Sequence, residues 1–154
     1  MFPQEEPILI IPCGKKKREG KHRAKELYTG PYFKACLNFA EKFFPKSYFI
    51  FSAKYGLLHP DEMVESYDVT FKRKNSSTVK VERLREQLQK FNLIDKSLVV
   101  LGGKDYIERL IRALKAPNRL VAPLKGFGLG RQISIMTRSV RLNTIIFPIF
   151  WLEK

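Results

Sequence analysis

The residues best equipped for chemistry lie in one stretch, Tyr48 to Phe71, YFIFSAKYGLLHPDEMVESYDVTF. It begins with four bulky residues of high β propensity, Tyr48 to Phe51, and empties into a run of polar and aromatic residues without helical periodicity. That run carries Ser52, Lys54, Tyr55, His59, Asp61, Glu65, Tyr67 and Asp68, and a loop this rich in titratable groups reads as a site or a lid. Asp61, Glu65 and Asp68 offer carboxylates that can act as a general base or stabilise an oxocarbenium ion. Asp68 leads, because Val69 and Phe71 would pin it against a sheet where a carboxylate needs a purpose or a partner. Neutralisation of nearby lysines is the plainer role for Glu65 and Asp68. Ser52 and Cys13 become nucleophiles only where a base lies beside them; His59 is the one histidine in the stretch, and a loop histidine is commonly just surface.

Three other apolar runs end in similar punctuation. The four ends read Cys13-Gly14-Lys15-Lys16, Ser52-Ala53-Lys54-Tyr55-Gly56, Gly102-Gly103-Lys104-Asp105-Tyr106 and Pro123-Leu124-Lys125-Gly126-Phe127-Gly128. Glycine permits close backbone approach, and lysine supplies a mobile positive charge beside a helix start, so together they suit phosphate. Any one of them is an ordinary strand-to-helix turn; the four together point to a phosphate-contacting rim. Tyr28, Tyr32, Tyr55, Tyr67 and Tyr106 fall at element starts near this rim, where rings interleaved with lysines suit base stacking, although some must be core. Gly126 to Gly130 lacks the dinucleotide-binding spacing, Gly103-Lys104 lacks the upstream glycine and following hydroxyl of a nucleotide-binding P-loop, and two histidines with two distant cysteines give no zinc pattern. No cofactor and no metal are expected.

A chain of 154 residues with 29 Lys+Arg against 15 Asp+Glu carries a formal charge of +14. Such an excess suggests a polyanionic partner, nucleic acid first and DNA ahead of RNA, with a solubilising surface as the plain alternative and an anionic membrane surface third. Cys13 and Cys36 form neither a CxxC pair nor a disulfide framework, which fits a reducing, cytoplasmic setting. The start MFPQEEP lacks the basic and apolar regions of a signal peptide, and no apolar segment approaches a membrane span. The apolar Ile145 to Leu152, broken by Pro148, reads as a core-covering tail or edge strand, with a dimer contact second; the chain is expected to be a monomer or a weak homodimer through this tail.

The elements that must position these residues alternate. Strands are expected at Ile8–Ile11, Tyr48–Phe51, Leu98–Leu101 and Arg119–Ala122. Helices are expected from Pro31 to about Phe44, from about Thr78 to Phe91, across Tyr106 to Leu114, and from Leu129 through Val140, with apolar residues at three- and four-residue steps. The cationic run between Lys15 and Lys25 reads as a mobile loop and Lys72 to Ser77 as a polar connector. Strand and helix alternate as in parallel βαβ units, so the expected fold is a single α/β domain spanning 1–154: a three-layer open sheet of about four mainly parallel strands with helices on both faces.

The ordered blocks PCGKKK, ELYTGPYFKAC, YFIFSAKYGLLHPDEMVESYDVTF, GGKDYIERL and PLKGFGLGRQI resemble an uncharacterised prokaryotic and phage domain family. That family carries Cys-Gly/Ser-x-Lys, Ser-Ala-Lys-x-Gly-Leu and Pro-Leu-x-Gly-x-Gly-x-Gly blocks, and the match runs from Ile8 to about Met136. More remotely the chain resembles the YaaA peroxide-stress proteins, the glycosylase-like domains of archaeosine-forming tRNA enzymes and the uracil-DNA-glycosylase fold. The resemblance implies active-site segments after the first and fourth strands, where Pro12-Cys13-Gly14 and Pro123-Leu124-Lys125-Gly126-Phe127 stand here. No carboxylate follows the first strand, and Val121-Ala122 stand where the second segment commonly has His, so the catalytic residues of that fold do not carry over.

The leading expectation is a nucleic-acid-acting, N-glycosidase-like enzyme, serving DNA repair or defence against modified phage DNA. Asp68, Glu65 and Ser52 are its candidate catalytic residues. Cys13, Gly14, Lys15, Lys16, Lys54, Tyr55, Tyr67, Tyr106, Lys125, Gly126 and Gly128 are its candidate nucleic-acid contacts. The alternative is a noncatalytic DNA- or RNA-binding module on the same fold.

Overall fold

A computed structural model describes residues 7–72, 77–114 and 119–147. The polar connector at 73–76 and the apolar tail beyond Phe147 lie outside the described residues. Four strands form where unbroken apolar runs stand: β1 (Ile8–Pro12), β3 (Tyr48–Ser52), β6 (Leu98–Val100) and β7 (Leu120–Val121). A fifth, β4 (Gly56–Leu58), turns back antiparallel on β3, so the sheet is ordered β4-β3-β1-β6-β7 with four parallel strands and one antiparallel edge. Pro12 faces Phe51, and Ile10 faces Val100.

Both faces of the sheet are covered, which is why its strands are apolar on successive residues. Leu9, Ile11, Ile50, Val99 and Leu101 pack on α2 (Pro31–Phe43) and α5 (Leu129–Leu142). Ile10, Phe51, Leu98, Val100 and Leu120 pack on α3 (Val81–Lys90) and α4 (Lys104–Leu114). The chain leaves β1 toward one side of the sheet through α2, then crosses back past β1 through α3 on the opposite face. Reversing direction and face together keeps each crossover right-handed. No helix among the described residues is long and apolar enough to cross a membrane.

Three expectations need correction. The cationic run is not a plain loop: β2 (Lys21–Arg23) pairs antiparallel with β5 (Met63–Glu65), and a single helical turn, α1 (Ala24–Leu27), follows. Ala24 and Leu27, both fully buried, supply the apolar anchor that the surrounding cations concealed. Helix α3 begins at Val81 rather than Thr78, because Lys80 is extended (φ −83°, ψ 151°). Leu129 lies on no buried stripe and is 60% exposed; Gln132, Met136 and Ser139 form the inner side of α5 instead.

The hairpin that carries Ser52 to Leu58 is fastened to α3 by Gln87. Its Oε1 accepts the Leu57 N–H at 2.9 Å and its Nε2 donates to the Tyr55 carbonyl at 2.8 Å, in a buried setting. Gly56, at φ +78°, leaves the space that this amide occupies, since a Cβ there would collide with Gln87 Oε1. Gln87→Leu strands one buried donor and one buried acceptor and is expected to cost about 2–4 kcal/mol. A fall in the urea midpoint with unchanged slope checks this; an unchanged midpoint would show that the hairpin does not depend on the amide.

Candidate functional site

The connections from β1 and β6 leave the sheet on opposite faces, which makes the carboxyl ends of these two strands a switch point of the sheet. Ligands of open α/β sheets bind at such a switch point. Cys13 follows β1 directly, with its N–H bonded to the Phe51 carbonyl (2.9 Å) and its side chain half-buried. Its Sγ lies 3.2 Å from the Tyr106 hydroxyl, which comes from the first turns of α4 beyond β6, and accepts the Ala53 N–H at 3.4 Å from the end of β3. One sulfur thus joins the ends of three adjacent strands.

A chain of hydroxyls stands beside it. Ser52 is fully buried; its Oγ accepts the N–H groups of Lys54 (3.1 Å) and Tyr55 (3.0 Å) and donates to the Tyr67 hydroxyl at 2.8 Å. The Tyr67 oxygen, having accepted from Ser52, is 2.6 Å from that of Tyr28. Ser52 therefore closes the turn after β3, and its neighbour is a phenol rather than a base. Burial pushes the phenols of Tyr28, Tyr67 and Tyr106 up above the ordinary tyrosine range, with the nearby Cys13 adding to each shift. They serve as neutral donors.

Lys17 completes the cluster. Its Nζ donates to the Lys15 carbonyl at 3.1 Å and lies 4.4 Å from the ring centre of Tyr67 and 5.9 Å from that of Tyr28. Partial burial holds the ammonium below the usual lysine range, opposed by the charges of Cys13 and Asp68. Asp68 itself is exposed, at the rim, and so is Glu65, whose backbone carbonyl accepts from the Tyr55 hydroxyl at 3.1 Å. The Tyr55 ring meets Tyr67 edge-on at 5.3 Å, with Lys54 Nζ 5.2 Å from its centre. On its other side Tyr55 lines an open cleft of about 490 Å³ with Lys54, Lys80 and Arg83, where Glu86 pairs with Arg83 at 3.3 Å.

The structure brings together Cys13, Ser52, Tyr55, Tyr67 and Tyr106. Gly14 sits half-buried against Phe33, while Lys15, Lys16 and Lys54 are exposed. Lys125, Gly126 and Gly128 are exposed on the turn after β7, at the same edge of the sheet, with Gly126 at φ +97°. His59 accepts the Asp61 N–H on its Nδ1 and closes a local turn. Among the described residues no three of His, Cys, Asp and Glu gather as metal ligands.

Sequence reasoning missed Lys17, Arg109 and Phe71. Arg109 lies 3.8 Å over the Phe71 ring, and Phe71 meets Tyr106 edge-on at 5.1 Å, so this stack backs the phenol that touches Cys13. The spacing of Tyr106 and Arg109, three apart on one helix, held the only sequence signal. Nothing separates Lys17 from its cationic neighbours until its isolated bridge to Tyr28 is seen.

The chain belongs to the family of unknown function DUF6884, whose family model matches residues 8–138. It is 35% identical over 142 residues to the uncharacterized protein YfjM of Bacillus subtilis (strain 168), covering 86% of this chain and 94% of that protein. No solved structure matches significantly.

Proposed function

We propose that this protein binds nucleic acid along the carboxyl edge of its sheet and hydrolyses an N-glycosidic bond there, on a uracil-DNA-glycosylase-like fold. The observation that carries the reading is the convergence of Cys13, Ser52, Tyr67 and Tyr106 at the carboxyl ends of the strands, with the exposed carboxylates Asp68 and Glu65 on the loop that supplies Tyr67. A flipped or unpaired nucleotide enters a crevice between the ends of β1 and β6, its phosphates met by Lys15, Lys16, Lys54 and Lys125 and its base stacked on Tyr55. Asp68 orients the water that attacks the sugar, or stabilises the positive charge that develops on it. The neutral phenols supply hydrogen bonds without adding charge to the crevice. Repair of DNA or defence against modified phage DNA is the corresponding role.

The test is incubation of the protein with DNA containing uracil, alkylated or hypermodified bases, followed by probing for abasic sites. Wild type is expected to release a base from one class, and Asp68→Asn to do so at least about a hundredfold more slowly with binding retained. No abasic product from any class sinks the enzymatic reading. One observation favours a noncatalytic DNA- or RNA-binding module instead: the hydroxyls of Tyr28 and Tyr67 are engaged with each other and with Ser52, and Ser52 is committed to the turn. In that case binding persists and Asp68→Asn changes nothing else.

A further inference from the structure

The two helical layers present different surfaces to solvent. On the α3/α4 face cations stand beside carboxylates: Arg83 pairs with Glu86 at 3.3 Å, Arg109 with Asp105 at 3.5 Å, and Lys104 lies 3.9 Å from Glu108. That is the mixed, self-neutralising pattern of a solvated face. On the other layer, helix α5 carries Arg131, Arg138 and Arg141 and no acidic residue. All three are exposed, and among the described residues none of them joins an ion pair. No Asp or Glu stands anywhere between Glu108 and Glu153.

Helical spacing puts the three arginines within about 80° of one another around α5 and spreads them over about 15 Å of its length. The stripe starts at the carboxyl edge of the sheet, because α5 follows directly from the turn that bears Lys125. There the Arg131 guanidinium lies 5.6 Å from the ring centre of Phe127. Helix α2 runs alongside, tied through the Tyr32 hydroxyl, which donates to Gln132 at 2.6 Å, and it adds Lys34 and Lys42. Its single acid, Glu41, accepts from the Tyr48 hydroxyl at 2.8 Å and pairs with Lys25 at 3.7 Å, so it leaves the arginines uncompensated. Between the helices a groove of about 190 Å³ places Asn38 and Thr137 beside Arg141.

Folding does not ask for this arrangement. Arg141 suits the carboxyl end of α5, but Arg131 stands in its first turn, where a cation opposes the helix dipole. Arg138 and Arg141 are like charges three positions apart, which weakens a helix.

We infer that the α2/α5 face is a second nucleic-acid surface, seating the duplex that leads away from the nucleotide held at the carboxyl edge. The inference rests on the proposed nucleic-acid binding and extends it to the form of the substrate, which is paired on at least one side of that nucleotide. Arginine suits phosphate because its planar fork meets two oxygens at once. With one phosphate per strand about every 3.4 Å of duplex axis, the stripe spans about four base pairs. No aromatic ring of α2 or α5 is exposed among the described residues, so this face offers unpaired bases nothing to stack on. A duplex keeps its bases inside and presents phosphates alone. An anionic membrane would need apolar side chains gathered on one side, whereas the exposed Leu129 and Leu142 stand at opposite ends of α5 and about 140° apart around it.

The test is fluorescence anisotropy of the full chain with a labelled duplex of about 20 base pairs at about 150 mM salt. Arg138→Gln with Arg141→Gln is expected to weaken binding about thirtyfold and to make the salt slope shallower by about two. Lys90→Gln with Arg112→Gln removes the same charge from the α3/α4 face and should change affinity by less than about threefold. All four side chains are exposed, so both variants should melt at the wild-type temperature. Should one melt lower, the single changes Arg138→Gln and Arg141→Gln, at about fivefold each, replace the pair. Equal losses from the two double variants would reduce the effect to overall charge and overturn the inference. An undiminished affinity of the α5 variant, or a wild type that binds single strands but no duplex, also overturns it and leaves binding at the carboxyl edge standing. Wild type that binds phosphatidylserine vesicles through these arginines and ignores DNA of either form overturns both this inference and the nucleic-acid reading.

Discussion

Above about pH 10 the protein is expected to lose stability by roughly 4 kcal/mol per pH unit and to unfold within one to two units. Five tyrosines drive this: Tyr28, Tyr32, Tyr48, Tyr67 and Tyr106 are all pushed above the ordinary range, each chiefly by burial. An unfolded tyrosine ionises near pH 10, whereas these five keep their protons in the fold. Between the two values the native state binds more protons than the unfolded one, so stability is complete below about pH 10 and falls as pH rises. One independent group contributes about 1.4 kcal/mol per unit. Counting Tyr28 and Tyr67 as a single group, because they share a hydrogen bond, and adding Tyr32 and Tyr106 gives the stated slope; Tyr48, whose hydroxyl donates to the half-exposed Glu41, adds less and is left out of the sum.

Cys36 acts in the same direction in the interval above its ordinary range and up to about 12. Lys17 acts oppositely, since its shift is downward, but its contribution is complete once an unfolded lysine has titrated near pH 10.4. The check is a pH series from 7 to about 12 that follows circular dichroism and phenolate absorbance together. The two should change in one cooperative step. Phenolate absorbance growing steadily from pH 10 under an unchanged dichroism spectrum would mean that the phenols are not held by the fold.

What the sequence disclosed depended on how completely each element is buried. The runs ending at Pro12, Ser52 and Val100 are covered on both faces, so an unbroken apolar stretch was sufficient to reveal β1, β3 and β6. Strands β2 and β5 read KHR and MVE, too short and too polar for any period to emerge, and only their mutual pairing makes them strands. Strand β4 has three buried residues but no alternation, and it was lost inside the long loop.

The site shows the same division. Cys13, Ser52, Tyr67 and Tyr106 were identifiable as groups at strand ends, because type and position in the chain suffice for that. Their roles were not. The contact between Cys13 and Tyr106 joins residues 93 positions apart and depends on the register that sets Ile10 beside Val100. Ser52 changes from a candidate nucleophile into a turn-closing hydroxyl solely because two N–H groups and one phenol surround it. Lys17 acquires its character from the two rings beneath it, one of which arrives from a loop that is distant in sequence.

Raising salt from about 50 to about 200 mM is expected to weaken binding to DNA by about a thousandfold, the largest effect foreseen on function. The formal charge of +14 sets the sign, and the exposed cations at the carboxyl edge set the size. Lys15, Lys16, Arg18, Lys54, Lys125 and Arg131 are exposed on the segments that follow β1, β3 and β7. If about six of them each neutralise a phosphate, the logarithm of affinity falls with that of salt at a slope near −5. The fourfold change in salt then gives the thousandfold loss. Lys15→Gln with Lys16→Gln should reduce the slope by about two, because neither residue has a buried role to lose. Asp68→Asn removes a negative charge from the rim and should tighten binding slightly, even as it slows chemistry. Fluorescence anisotropy with a labelled oligonucleotide across a salt series measures all three. A slope shallower than about −2 would leave too few phosphate contacts for the enzyme or the binding module, and a small phosphorylated ligand would become the better occupant of the crevice between β1 and β6.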